Sequence, residues 1–284
     1  MTHEPIDLRH GAATPIGVYL LETPDGPALH DCGPTVCIPA LKEGLAARGL
    51  ALTDVRHLLL SHIHLDHAGA AGVLVREHPG LQVHVSEVGA PHLVDPSRLD
   101  RSARRIYGAL FDQLWGELAP VPAQNVHAVG DRVLGLDCFA SPGHAAHHVT
   151  YVDGDGTLFG GDSLGIRVPG SGYVAPPTPP PDIDVEAWDR TLDETLRRRP
   201  ARVALIHVGV HDDPETHVGL LREELHRRAE LAGRGLDQDT WAAAVRPAVL
   251  GSPPVMVSVF EESIAPDYNG LKRYWDKRRE AEAR

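Results

Sequence analysis

Short apolar runs alternate with turn signals along the first part of the chain. Ile16–Leu21 and Ala28–Asp31 read as strands flanking the turn Pro24-Asp25-Gly26-Pro27. Val36–Arg48 has helical periodicity and stops at Gly49. Val55–Leu60 reads as a buried strand, Asp66–Glu77 as a helix ended by Pro79-Gly80, and Gln82–Ser86 as an alternating strand. Arg98–Leu118 reads as a helix carrying Tyr107, Phe111 and Trp115. Strand signals resume over 126–140, then over His148–Val152 and Thr157–Phe159 around Asp153-Gly154-Asp155-Gly156. Residues 169–181 form a long proline-rich loop. Asp184–Arg199 reads as a helix and Val203–Ile206 as the last core strand. Beyond Pro214 the pattern turns helical over Glu215–Ala232, Gln238–Val249 and much of Pro266–Arg284. Alternating strands and helices followed by a helical tail predict a layered α/β architecture.

The 284 residues, 42% hydrophobic, allow one large domain or one domain with an appendage. A formal net charge of −12 argues against a broad nucleic-acid or anionic-membrane surface, because both need clustered Lys and Arg. No run approaches the roughly 20 apolar residues of a membrane helix. Met1-Thr2-His3-Glu4-Pro5 has neither the basic nor the apolar region of a signal peptide. Cys32, Cys37 and Cys138 are an odd set that fits a reducing compartment. A cytoplasmic protein acting on a small molecule, with no nucleic-acid or membrane partner, is the expectation.

The candidate chemistry sits directly after Leu58-Leu59-Leu60, in Ser61-His62-Ile63-His64-Leu65-Asp66-His67. Three imidazoles and a carboxylate side by side are costly to bury, at roughly 2–7 kcal/mol for each unpartnered polar group. A divalent metal removes that cost. In a turn after a strand His62 and His64 point the same way, while Asp66 and His67 face a second point nearby. The spacing therefore suggests two adjacent metal positions. Three later stretches also place a metal-competent side chain after a strand: His144 in Ser141-Pro142-Gly143-His144, Asp162 in Leu158-Phe159-Gly160-Gly161-Asp162, and His207 in Ala204-Leu205-Ile206-His207.

This ordered series resembles the metallo-β-lactamase-fold hydrolase superfamily. Ser141 to Tyr151 is similar to its TPGHTxGHxxY segment, and Leu158 to Asp162 to its LFxGD segment; the likeness spans about residues 14–210. The resemblance implies a four-layer αβ/βα sandwich over 1–211 with a helical C-terminal extension over 212–284. It implies His62, His64 and His144 on one metal, Asp66, His67 and His207 on a second, and Asp162 bridging both. Two divalent ions are expected, Zn2+ first, with Mn2+ or Fe as alternatives. The implied reaction is cleavage of a small ester, thioester or lactone by a hydroxide held between the metals, with the leaving group taking its proton from metal-bound water or from Asp66. Asp31 matches an aspartate that orients a ligand from behind. The length and tail resemble the glyoxalase II-like branch, although the cationic glutathione-anchoring residues do not map onto the tail. Tyr173 and His211 are the candidate substrate contacts, while His148 matches a position that packs behind the site. Trp241, Tyr268, Tyr274 and Trp275 supply aromatics for packing or for an expected homodimer. Two readings stay open beside hydrolysis: a mononuclear non-haem iron persulfide dioxygenase using His62, His144 and Asp162, and a non-catalytic metal-binding or sensor module.

Overall fold

The structure, a computed structural model, describes residues 4–11, 14–168, 170–207 and 209–283. Met1–His3, Pro169 at the head of the proline-rich loop, and Arg284 at the end of the expected last helix lie outside the described residues.

Two mixed six-stranded sheets face each other. The first runs in chain order through β1 (Ile6–Asp7), β2 (Gly17–Thr23), β3 (Gly26–His30), β4 (His57–Leu59), β5 (Gln82–Val85) and β6 (Val126–Ala128). Its first three strands are antiparallel and the rest parallel. The second comprises β7 (Arg132–Val133), β8 (Leu136–Ala140), β9 (Val149–Val152), β10 (Thr157–Phe159), β11 (Arg202–Leu205) and β12 (Gly209–His211). Only its β10–β11 pair is parallel.

The period of two sorts strand residues into two cores. Phe159 and Ala204 join the core between the sheets, whereas their neighbours Leu158, Val203 and Leu205 join a second core on the outer face. That is why these strands read as continuous apolar runs. Helices α1 (Ile38–Ala46), α2 (Leu65–Ala68) and α3 (Ala71–Glu77) belong to the first half of the molecule. Ile38, Leu41, Leu45 and Leu74 pack them onto the first core. After β5 come α4 (Ala90–Val94), α5 (Ser97–Tyr107) and α6 (Phe111–Leu114). The second core is covered by α7 (Val185–Arg197), α8 (Pro214–Gly233), α9 (Gln238–Val249) and α10 (Pro254–Glu282). Helices, sheet, sheet and helices make the four layers; the C-terminal helices share their core with the second sheet and α7.

Three elements differ from the sequence expectation. The helix expected over Asp66–Glu77 breaks into α2 and α3, because the chain there bonds sideways: Cys32 N donates to His67 O and Ala70 N to Gly33 O. The helix expected over Arg98–Leu118 ends at Tyr107, where Gly108 has a φ of +53°. The last helix starts at Pro254, not Pro266, and runs through Pro266. A proline there removes one helical hydrogen bond, but buried Asp267, Gly270, Leu271 and Tyr274 on the following turns keep the helix docked.

Gly143 is fixed by close approach. A Cβ there would lie 2.4 Å from Trp188 Cβ, and its φ is +141°. Gly143→Ala is expected to destabilise the protein by about 2–4 kcal/mol, read as a lower urea midpoint. A midpoint unchanged from the native chain would contradict this account of the turn.

Candidate metal centre

β3, β4, β8, β10 and β11 all end at one edge of the sandwich, and each hands over a functional side chain within three residues or so of its end: Asp31, the His62–His67 cluster, His144, Asp162 and His207. The two sheets are tied there by the chain itself. Tyr151 donates its hydroxyl to Leu60 O at 2.9 Å and Val149 N donates to Ser61 O at 2.8 Å. Gly17 N of the first sheet reaches Ile206 O, beside His207, at 2.7 Å.

The seven ligand candidates form two groups. His62, His64, His144 and Asp162 make one; Asp66, His67, Asp162 and His207 make the other, and ligand atoms within each lie within 4.8 Å of one another. Asp162 divides its carboxylate between them. Oδ2 lies 3.3 Å from His144 Nε2, while Oδ1 lies 3.2 Å from His67 Nε2 and 3.1 Å from His207 Nε2. Asp66 Oδ2 stands 3.4 Å from His207 Nε2 and 3.6 Å from His67 Nε2. His64 and Asp66 are half-buried and the other five buried, so the centre opens past those two.

The outward ring nitrogens are each held by a partner. His67 Nδ1 meets Asp31 Oδ2 at 2.7 Å, His144 Nδ1 donates to Pro177 O at 2.9 Å, His207 Nδ1 to Pro15 O at 2.8 Å, and His62 Nδ1 meets Ser61 Oγ at 3.0 Å. Each bond directs Nε2 inward, where His144 Nε2 also meets His64 Nδ1 at 2.9 Å. Asp31 also accepts from Ser61 N and Ser61 Oγ, both at 2.7 Å, and these three bonds hold it at a φ of +61°. The inward atoms His62 Nε2, His67 Nε2 and Asp162 Oδ1 are buried with no hydrogen-bond partner. Unpartnered polar atoms gathered at one point are the condition a cation satisfies, and the donor set suits zinc, manganese or iron.

Electrostatics agree. Burial, reinforced by neighbouring imidazoles, holds His62 and His64 well below the ordinary imidazole value, in the neutral ligating form. Burial opposes charge on His67 and His207, but Asp162 and Asp66 outweigh it. His67 is held well above its ordinary value and His207 is raised to about 10. Burial by itself would raise Asp66 and Asp162; His67 and His207 reverse this and keep both carboxyls ionised. In the metal-free protein, protons on the two histidines thus balance the carboxylates.

His148 lies behind the site: its ring stacks on His62 with centroids 4.9 Å apart, Nδ1 meets Ser141 Oγ at 2.8 Å, and Nε2 accepts from Ser163 N. Tyr173 and His211 are not brought to the centre. Tyr173 is buried in the second core, its hydroxyl donating to Glu224 Oε1 at 2.8 Å. His211 stacks on His217 and meets Arg167 O at 3.2 Å. The carbonyls of Pro15 and Pro177 carry no side-chain signature, so nothing in the sequence points to them. Tyr107, at the end of α5, is in the sequence only one more helix aromatic. It packs around Leu65, and burial, helped by the Asp66 charge, raises its phenol to about 12.

The profile of the metallo-beta-lactamase superfamily matches residues 13–209, and the chain belongs to that family. ST1585, a metallo-beta-lactamase fold-containing protein of Sulfurisphaera tokodaii, is 28% identical over 213 residues, 70% of this chain and 79% of that one. Among solved structures, the family protein TTHA1429 of Thermus thermophilus superposes with a TM-score of 0.70 at 20% identity, over 96% of this chain and 92% of that one. TTHA1623, solved in a di-iron-bound form, has a TM-score of 0.57 at 26% identity, over 76% and 95%.

Three outcomes are expected. Metal uptake releases protons from His67 and His207, so affinity falls as pH falls; titration calorimetry in buffers of different ionisation enthalpy reads this, and buffer-independent heats would contradict it. In the metal-free protein the His207 contribution to stability is complete below 6.5 and is lost as pH rises through about 10. Asp31→Asn is expected to weaken metal binding about tenfold to hundredfold, measured by chelator competition; wild-type affinity would remove Asp31 from the ligand-orienting role.

Proposed function

We propose that this chain is a metal-dependent hydrolase that cleaves a small ester, thioester or lactone at a dinuclear centre. The observation that carries the reading is the split Asp162 carboxylate, with one oxygen toward each group of ligands. His62, His64 and His144 would hold one ion, Asp66, His67 and His207 the other, with Asp162 spanning both. Two ions so placed supply Lewis acidity that lowers the pKa of bound water and stabilises a developing oxyanion.

The chain's own groups do the rest. Asp31 and the carbonyls of Pro15 and Pro177 keep the imidazoles from reorienting, so the electrostatic environment is set before substrate arrives. Asp66 is ionised and is the more open of the two site carboxylates, with 27% of its side chain exposed against 5% for Asp162. It accepts a proton from the attacking water and returns it to the departing oxygen or sulfur. The di-iron form of TTHA1623 supports two metal positions and keeps iron beside zinc and manganese as an occupant. The C-terminal helices packed on the second sheet support the glyoxalase II-like branch.

The test is metal-stripped protein reconstituted with Zn2+, Mn2+ or Fe2+ and assayed on thioesters, lactones and simple esters. Turnover that requires two ions per chain is expected. One iron per chain with oxygen uptake on a persulfide would overturn hydrolysis, and a fully loaded protein inert to every substrate would favour a binding module. Asp66→Asn, at full metal loading, is expected to lower kcat by on the order of a hundredfold or more. Unchanged turnover would remove its proton-carrying role.

A further inference from the structure

One peptide unit joins the metal centre to the C-terminal helices. Its carbonyl, Pro177 O, accepts from His144 Nδ1 at 2.9 Å. Its N–H, on Thr178, donates to Asp267 Oδ1 in α10 at 2.7 Å. The other oxygen of Asp267 accepts from Arg228 Nη1 of α8 at 2.8 Å. Arg228 is fully buried; its Nε donates to Glu224 Oε1 at 2.9 Å and its Nη2 to the Tyr173 hydroxyl. Thr178 Oγ1 donates back to Asp267 O at 3.2 Å. The helix and the loop approach so closely here that a Cβ on Gly270 would lie 1.8 Å from Thr178 O.

We propose that Asp267, backed by Arg228, is a positioning residue for His144, acting through the Pro177–Thr178 peptide. The inference rests on the reading of His144 as a metal ligand. An imidazole that donates its outer N–H to a well-fixed acceptor is locked in one tautomer and orientation and becomes a more basic ligand. A carboxylate bonded to the N–H of the same peptide polarises its carbonyl toward His144, because linked hydrogen bonds reinforce one another at low dielectric. The arrangement is a carboxylate–histidine pair with a peptide inserted between its members. Asp31 does the same for His67 directly. Each group of ligands thus has one histidine backed by a carboxylate, one from the first sheet and one from the last helix. Tyr173, expected at the substrate, belongs to this buttress through its bonds to Arg228 and Glu224.

The experiment uses the full-length chain with Co2+ as probe. Chelator competition gives the two affinities, and the paramagnetic proton spectrum shows the exchangeable imidazole N–H signals. Asp267→Asn is expected to weaken one Co2+ by on the order of tenfold, leave the other unchanged, and shift a different N–H signal from the one that Asp31→Asn moves. A folded Asp267→Asn protein with both affinities and every N–H signal at wild-type values would overturn the proposal. Should that variant fail to fold, hydrogen exchange on the wild type decides. The Thr178 amide is expected to gain more protection on metal loading than amides of β11, and an equal gain would overturn it. A wild-type protein that takes up one Co2+ would sink the dinuclear reading, while the His144 N–H signal would still test the peptide link.

Discussion

A buried carboxylate with imidazoles on both sides is the constraint on which the rest of this structure turns. Asp162 is buried with its inner oxygen 3.1 Å from His207 Nε2 and 3.2 Å from His67 Nε2, and the inward nitrogen of His62 is buried without a partner. Leaving such groups unpaired costs several kcal/mol each, of the same order as the whole stability of a domain. Protons on His67 and His207 relieve part of it, and divalent ions would relieve it more fully. The architecture is the means of bringing these groups to one point. Five strand ends from two sheets meet at a single edge, and backbone bonds such as Val149 N to Ser61 O fix one sheet against the other there.

Around that point the protein uses two kinds of support. Backbone carbonyls of Pro15 and Pro177 fix His207 and His144 without side chains, while Asp31 fixes His67 with a charge. The carbonyl supports come from loops, and loops need anchors of their own. The loop around Pro177 finds its anchor in the buried Arg228–Asp267 pair. Removing either partner of such a pair leaves an uncompensated buried charge, at about 3–5 kcal/mol. The C-terminal helices therefore reach the centre through the segment that holds His144.

The ligand candidates are legible in the sequence because their signal is the side chain itself. His62-x-His64-x-Asp66-His67, His144, Asp162 and His207 each follow an apolar run, and strand ends are where rigid scaffolds carry chemistry. Most strands and α9 were legible for the same local reasons, alternation and turn residues. The supports were not. A carbonyl at Pro15 or Pro177 is common to every residue type. Glu224 and Arg228, four apart on a helix, carry no local mark of burial; Tyr173, Trp241 of α9 and Phe260 of α10 pack around Arg228. Pro266 reads as a helix start, and it is the docking of α10 that carries the helix through it. What escaped local reading was set by contacts between residues distant in the chain.

The split carboxylate of Asp162 leads us to infer that it serves two metal ions at once. Anomalous diffraction from crystals grown with Zn2+ tests it most directly. Two peaks flanking Asp162 are expected, one among His62, His64 and His144 and the other among Asp66, His67 and His207. A single peak at full occupancy, with the remaining ligands still hydrogen-bonded to one another, would contradict it.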